Sequence, residues 1–265
     1  MKLSSVDLAL VELAQKAGAA ILAVRARSLA SVEKADGSPV TEADRQAEAI
    51  ILAGLPALWP GVPVVAEEAV SSGILPQIGR RFILVDALDG TREFIAGRSE
   101  FTVNVGLVED GRPIMGIVHA PATGDFFLAV ERGGAFAARG IPAGTVPLQA
   151  DFQPIVVRPM QQPPVTLVSL SHFDSRTQAH LASRTSGEVL NIGSSIKFCL
   201  IAAGQADLYP RYAPTREWDT AAGDAILRAA GGSMVQPDGS PFVYGKADQG
   251  FENGPFVASG GKAAC

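Results

Sequence analysis

The chain is short of the residues that several common chemistries need. Its 265 residues include only 2 cysteines, Cys199 and Cys265, too few and too far apart for a disulfide framework or a zinc-binding spacing. Cys199 lies in an apolar helical stretch and reads as a core residue, while Cys265 is the last residue and reads as frayed. There is no excess of basic charge. The net charge is −5, which argues against a polymeric nucleic acid as partner. No apolar run is long enough to span a bilayer, and the first residues lack a charged-then-apolar signal layout. These absences predict a cytoplasmic protein, with peripheral contact at the inner membrane as the second option. No P-loop pattern and no strand-linked Gly-x-Gly-x-x-Gly is present, so kinase-like and dinucleotide chemistry are disfavoured. His172 has no serine arranged with it as a nucleophile–base pair, which disfavours a hydrolase triad.

What is there is an ordinary globular core, with 47% hydrophobic and 18% charged residues. Val6, Leu10, Leu13, Ala17, Ile21 and Val24 step by three or four and predict an amphipathic helix. Residues 33–40 read as a polar loop or hairpin. Thr41 caps a second helix containing Asp44 and Glu48, closed by Pro56 and Pro60-Gly61. Val62 to Ala66 is a short strand that ends at Glu67-Glu68. Arg81 to Val85 is a buried strand. Phe101, Val103, Val105 and Leu107 alternate with more polar positions, as in a half-buried strand, and two further strands complete a meander. The Pro- and Gln-rich stretch from 140 to 164 predicts a boundary between an N-terminal subdomain, 1–145, and a C-terminal one, 146–265. Beyond it, strands alternate with helices over Thr177 to Arg184, Ser194 to Ala203 and Asp219 to Ala230, the pattern of a small α/β layer.

The most informative stretch is Asp86-Ala87-Leu88-Asp89-Gly90-Thr91, where two carboxylates flank the end of a strand and a glycine turn. Unpaired buried carboxylates are costly, and hard oxygen ligands suit Mg²⁺ bridging protein and phosphate. Asp44, Glu67 and Asp219 are further candidates. Taken singly, each has a plainer reading: Asp44 at a helix start, Glu67 solvated at a strand end, Asp219 as an N-cap. Taken together they match a two-metal site, in which carboxylates from different segments hold ions roughly 3.5–4 Å apart. A second constellation is Gly193-Ser194-Ser195-Ile196-Lys197 at a strand-to-helix junction. It fits either a phosphate site at a helix start, with Lys197 as a point charge, or an ordinary serine cap. Arg211 is a further cation near the end of a neighbouring element.

These motifs resemble the inositol monophosphatase superfamily of Mg²⁺-dependent, lithium-sensitive phosphatases. Asp86 to Thr91 is similar to the signature D-P-[LI]-D-G-T, with Ala87 in place of the proline. Trp218-Asp219-Thr220-Ala221-Ala222 is similar to W-D-x-x-A. Within the superfamily, Asp89-Gly90-Thr91-Arg92-Glu93-Phe94 and Gly193 to Cys199 resemble the D-G-T-[KR]-E-F and G-S-S-x-K-F-C of bacterial 3′(2′),5′-bisphosphate nucleotidases. The resemblance implies a mixed α/β (α+β) fold, a layered α-β-α-β-α sandwich of the inositol monophosphatase/fructose-1,6-bisphosphatase type. It implies that Glu67, Asp86, Asp89, Asp219 and the Leu88 carbonyl bind Mg²⁺, and that Asp44 holds a third, weaker ion. Thr91 with Glu67 would orient and deprotonate the attacking water, with Asp86 beside them in catalysis. Gly90 and Thr91 amides would steady the scissile phosphate, and Ser194, Lys197, Arg211 and His172, with Asp219, would bind the nucleotide and its second phosphate. The implied substrate is adenosine 3′,5′-bisphosphate, hydrolysed to AMP and phosphate in sulfate assimilation by a monomer or homodimer. The rivals are a phosphatase of the same superfamily acting on inositol or sugar phosphates, and a metal-binding regulatory protein without turnover.

Overall fold

Apolar side chains at helical spacing bury one face of the first helix, α1 (Ser5–Arg27), in which Leu10, Leu13, Ala17, Ile21 and Val24 are all buried. The computed structural model describes residues 2–27, 31–33, 39–182 and 187–261. Cys265, residues 34–38 of the expected loop and the end of the expected helix at residues 183–184 lie outside the described residues. On either side of 34–38, β1 (Ser31–Glu33) and β2 (Pro39–Thr41) pair antiparallel. Thr41 then caps α2 (Glu42–Leu58) as expected. Its Oγ1 accepts from the Ala43 amide at 3.1 Å, and Asp44 Oδ2 accepts from the Thr41 amide at 2.7 Å. Pro56 does not close this helix, which runs to Leu58; a proline near the last turn removes only one ladder donor.

Next come β3 (Val64–Ala66), α3 (Glu67–Ser71), β4 (Arg81–Asp89), α4 (Thr91–Ile95), β5 (Thr102–Glu109), β6 (Arg112–Ala120), β7 (Asp125–Ala129), β8 (Ala135–Ala138) and β9 (Gln153–Ile155). The short helix α3 was not expected. Its first amides are satisfied from another segment, since the Glu48 carboxylate accepts from Glu68 and Ala69 at 2.8 and 2.9 Å. β3 to β9 form one seven-stranded sheet in sequence order, parallel between β3 and β4 and antiparallel elsewhere.

The rest of the chain supplies β10 (Thr166–Ser169), α5 (Ser175–Ala182), β11 (Val189–Ile192), α6 (Ile196–Ala202), β12 (Leu208–Arg211), β13 (Thr215–Arg216), α7 (Ala221–Ala229), β14 (Ser233–Val235), β15 (Glu252–Asn253) and β16 (Phe256–Ser259). A second sheet has five strands in the order β11-β10-β12-β16-β14. One core joins α1 and α2 to a face of the seven-stranded sheet through Ile83, Val85, Val103 and Val105. Another joins the opposite face, through Phe82, Leu84 and Val118, to α6, α7 and the five-stranded sheet. α5 contacts β12, so helices and sheets alternate in five layers, a mixed α/β fold. Among the described residues no helix is long and apolar enough to cross a membrane.

The layering overturns one expectation. β5 is buried on both faces rather than half-buried, because α1 covers one side and α7 the other. Glycines permit the approach of α7. A Cβ on Gly116 would stand 2.7 Å from Ala222 O and 2.8 Å from Ala222 Cα, with no flexible side chain to yield. Gly116→Ala is therefore expected to lose about 1–3 kcal/mol of stability in urea melts, the usual cost of overpacking. Gly79→Ala, where a Cβ meets nothing within 4 Å, should stay within about 0.5 kcal/mol of the parent.

His119 on β6 is buried, stacks on Phe126 with centroids 3.8 Å apart, and places Nδ1 3.0 Å from Asp125 O. Burial pushes its pKa down to about 4, against the opposing pull of the Asp125 carbonyl and carboxylate. The neutral ring is favoured in the fold. As pH falls from the ordinary histidine value the unfolded chain takes up a proton and the native one does not, so stability falls until about pH 4. The stability gap between the parent and His119→Gln should accordingly shrink between pH 7 and pH 4 in urea melts.

Candidate active site

β4 ends in two carboxylates, Asp86 paired with Asn104 and Asp89 with Thr102 of β5. The register shifts between these two pairs, and such a bulge re-aims the side chains around it. Asp86 Oδ1 accepts from the Leu88 amide at 3.0 Å. Gly90 follows with φ 93°, and a Cβ there would stand 2.6 Å from Glu100 O, so the turn needs glycine on both counts. α4 then opens on Thr91. Glu67 is the first residue of α3, and Asp219 sits in a 3-10 turn before α7. These three segments converge: Glu67, Asp86 and Asp219 each offer a carboxylate oxygen, all within 4.8 Å of one another.

The charges report the same convergence. Asp219 opens part of its surface on the cavity but is otherwise enclosed by protein. Burial, with the charges of Asp89 and Glu67, pushes its pKa up to about 8. Burial likewise pushes Asp89 up to about 6, against the pull of Lys197. Carboxylates arranged this way repel one another unless a cation lies among them, and an all-oxygen donor set fits a hard divalent cation. Asp219 is not a plain N-cap: its Oδ2 accepts from the Arg216 amide at 2.8 Å, and α7 begins two residues later without a side-chain cap.

The cluster lines a cavity of about 380 Å³. Leu88, Asp89, Gly90, Thr91, His172, Ser194 and Arg211 also line it. Asp44 and Lys197 are not among its lining residues. Asp44 is buried behind Thr91, whose Oγ1 lies 2.9 Å from Asp44 Oδ1 and 3.1 Å from Leu88 O. The structure thus pairs Thr91 with Asp44, a partner absent from the expectations. Lys197 is also buried. Its ammonium donates to Ile192 O at 3.0 Å and to Ser194 O, and sits 4.9 Å from the Tyr209 ring centroid. Burial pushes its pKa down to about 7, against the pull of Asp89. Arg211 is pinned at the cavity wall by Tyr209 Oη at 3.3 Å and Pro214 O at 3.1 Å. Burial lowers His172 to about 4, helped by the charges of Arg211 and Arg92, so its ring is neutral at pH 7.

Ser194 departs from the expected helix, since α6 starts at Ile196 and Ser194 precedes it with φ 51°. The contacts around it, and Thr102 and Asn104 as partners, are not among the expectations from the sequence. Ser195 donates its amide to Asp89 Oδ2. Thr102 and Asn104, on β5, hydrogen-bond the hydroxyls of Ser194 and Ser195. Glu93 accepts from the Ser171 hydroxyl, beside His172. The signal for the β5 pair was the alternation itself: two polar residues on one face of an otherwise apolar strand.

Comparison with known proteins agrees with this geometry. The family model described as the inositol monophosphatase family matches residues 2–259. The chain is 41% identical over 235 residues to the 3′(2′),5′-bisphosphate nucleotidase CysQ of Escherichia coli K12, covering 88% of this chain and 91% of that one. It is 36% identical to the CysQ of Buchnera aphidicola, over 85% of this chain and 82% of that one. Among solved structures it is similar to CysQ from Bacteroides thetaiotaomicron, with a TM-score of 0.79, 37% identity and 96% of each chain covered. An IMPase from Thermotoga maritima has a TM-score of 0.75 at 26% identity, with 95% and 91% covered. Five alternating layers, a carboxylate cluster at the end of β4 and a match over nearly the whole length lead to one conclusion: the chain belongs to the inositol monophosphatase family.

Proposed function

We propose that this chain is a Mg²⁺-dependent phosphatase that hydrolyses adenosine 3′,5′-bisphosphate to AMP and phosphate. The observation that carries the reading is the gathering of Glu67, Asp86 and Asp219 in one cavity that Arg211 also lines. The relatives named as bisphosphate nucleotidases, at about 40% identity over most of the chain, support the choice of substrate. The reading places the enzyme in the cytoplasm, within sulfur metabolism. The N-terminal half, 1–145, brings Glu67, Asp86, Asp89 and Thr91; the C-terminal half, 146–265, brings Asp219 and the nucleotide contacts.

Glu67, Asp86, Asp89, Asp219 and the Leu88 carbonyl would hold two Mg²⁺ ions, with Asp44 near a third. When bound, these ions supply positive charge that makes a water a better nucleophile and stabilises the leaving oxygen. The chain's own groups do the rest. The single proton of the Thr91 hydroxyl faces two acceptors, Asp44 Oδ1 and Leu88 O. Its oxygen is left to accept from the attacking water and so to orient it. Glu67 is the second acceptor for that water's protons. Gly90 and Thr91 amides, at the turn into α4, steady the scissile phosphate. Arg211, fixed in place by Tyr209 and Pro214, meets the second phosphate, and the neutral ring of His172 packs against the nucleoside. Lys197 acts from behind, holding the Ser194 carbonyl and offsetting Asp89.

Removing a hydrogen-bond partner of a metal ligand typically costs about 10–100-fold, so loss of a ligand should cost at least about 100-fold. Asp86→Asn is expected to lose Mg²⁺-dependent phosphate release to at least that extent while keeping its far-UV circular dichroism. Near-normal turnover in that variant would defeat the assignment. Arg211→Ala separates the nucleotide reading from an inositol phosphatase. It should raise KM for adenosine 3′,5′-bisphosphate by about tenfold or more, as expected for a charge-assisted contact, and leave inositol monophosphate nearly unaffected. Equal losses on both substrates would favour the inositol reading.

A further inference from the structure

Beneath the cavity wall, four buried or partly buried side chains, two from β5 and two from the turn between β11 and α6, form a continuous hydrogen-bond chain. Asn104, fully buried on β5, places Nδ2 3.3 Å from Thr102 O and 3.2 Å from Thr102 Oγ1. A carbonyl oxygen can only accept, so the amide end of Asn104 faces Thr102 and its Oδ1 faces Ser195. Ser195 Oγ is 2.5 Å from that Oδ1 and must donate to it. Ser195 has then spent its only proton. The 2.8 Å contact between Thr102 Oγ1 and Ser195 Oγ requires Thr102 to donate. Thr102 has now spent its proton too, so the 3.1 Å contact between Ser194 Oγ and Thr102 Oγ1 requires Ser194 to donate. Any other order sets two lone pairs against each other within hydrogen-bond distance. The Ser194 oxygen also accepts from the Ile196 amide at 3.3 Å.

The backbone of Ser194 is fixed as firmly as its hydroxyl. Its left-handed φ of 51° is uncommon for a residue other than glycine and persists where the surroundings over-determine it. Here the Lys197 ammonium holds its carbonyl, and the next amide, that of Ser195, is held by Asp89. A Cβ on Gly193 would stand 2.8 Å from Glu93 Cγ and 3.0 Å from Glu100 Cβ, so the loop lies tight against α4 and the segment that follows it.

We propose that the relay Asn104–Ser195–Thr102–Ser194 commits the Ser194 hydroxyl to be a hydrogen-bond acceptor at the cavity wall, so that its substrate partner is an O–H or N–H of the nucleoside and not a phosphate oxygen. Phosphate oxygens at neutral pH offer almost only lone pairs, and the Ser194 proton points away from the cavity. This rests on the bisphosphate nucleotide reading and deepens it: Ser194 reads the nucleoside, and the phosphates are left to the cations. Thr102 and Asn104 are positioning residues, since they touch Ser194 and Ser195 and not the cavity.

Two measurements decide it. Neutron diffraction from deuterium-exchanged crystals of the whole chain locates the Ser194 deuteron; it is expected on the line to Thr102 Oγ1, and a deuteron pointing into the cavity overturns the relay. This readout does not depend on turnover. The second measurement compares kcat/KM for adenosine 3′,5′-bisphosphate, its 2′-deoxy analogue and its inosine analogue in the parent, Ser194→Ala and Thr102→Val. The parent should lose about 5–10-fold on one of the two analogues, the size of one hydrogen bond, through KM rather than kcat. Both variants should bring that ratio close to one. A parent that treats all three substrates alike, or variants that keep the discrimination or lose equally on all three, would overturn the proposal. A parent inactive on all three substrates would overturn both the nucleotide reading and the assignment of Ser194's partner, while the neutron result would still decide the direction of the relay.

Discussion

Mutual repulsion among carboxylates is the constraint around which this molecule is arranged. Glu67, Asp86, Asp89 and Asp219 come from a helix start, a strand end and a 3-10 turn, and the fold brings them to one cavity. Burial alone would push such groups toward their neutral forms, and Asp219 and Asp89 show that pressure. The chain relieves part of it with amide donors. Asp86 takes the Leu88 amide, Asp89 the Ser195 amide and Asp219 the Arg216 amide. Lys197 adds a buried positive charge close by. What remains is a deficit of positive charge that a divalent cation fits.

One of these donors, the Ser195 amide, also ties the two halves of the chain together. Asp89 belongs to the seven-stranded sheet and Ser195 follows a strand of the five-stranded one, so their hydrogen bond crosses between the halves of the chain. Thr102 and Asn104 reach across the same divide to Ser194 and Ser195. Asn253 bonds Thr215 Oγ1, Arg216 O and Thr220 Oγ1, holding the turn on which Asp219 rides. Metal affinity and substrate recognition therefore share supports: a change that loosens the Ser194 loop also withdraws a donor from Asp89.

Much of this was legible in the one-dimensional pattern. The period of α1, the Thr41 cap, the meander and the alternation of strands and helices beyond residue 164 all follow from local chemistry, because capping, turn formation and periodic burial act between near neighbours. The misreadings share a cause as well. β5 looked half-buried because its polar residues suggested solvent, whereas Thr102 and Asn104 face a buried hydroxyl network. Serine is a good cap, so the sequence puts the start of α6 at Ser194, but that residue stands in a left-handed turn held by Lys197 from within the segment and by Thr102 and Asp89 from distant ones. Lys197 reads as a free cation beside two serines and proves to be enclosed by carbonyls and a tyrosine ring.

The amino-acid order by itself determined the elements, the candidate carboxylates and the family they resemble, since each depends on residue type and spacing along the chain. Only the tertiary structure decided which of those groups share the cavity and which stand behind it. It alone gave Thr91 to Asp44, turned Lys197 inward and set the direction of the relay under Ser194. Those outcomes depend on distances between residues tens of positions apart, and a hydrogen bond's direction follows from every other bond its partners make.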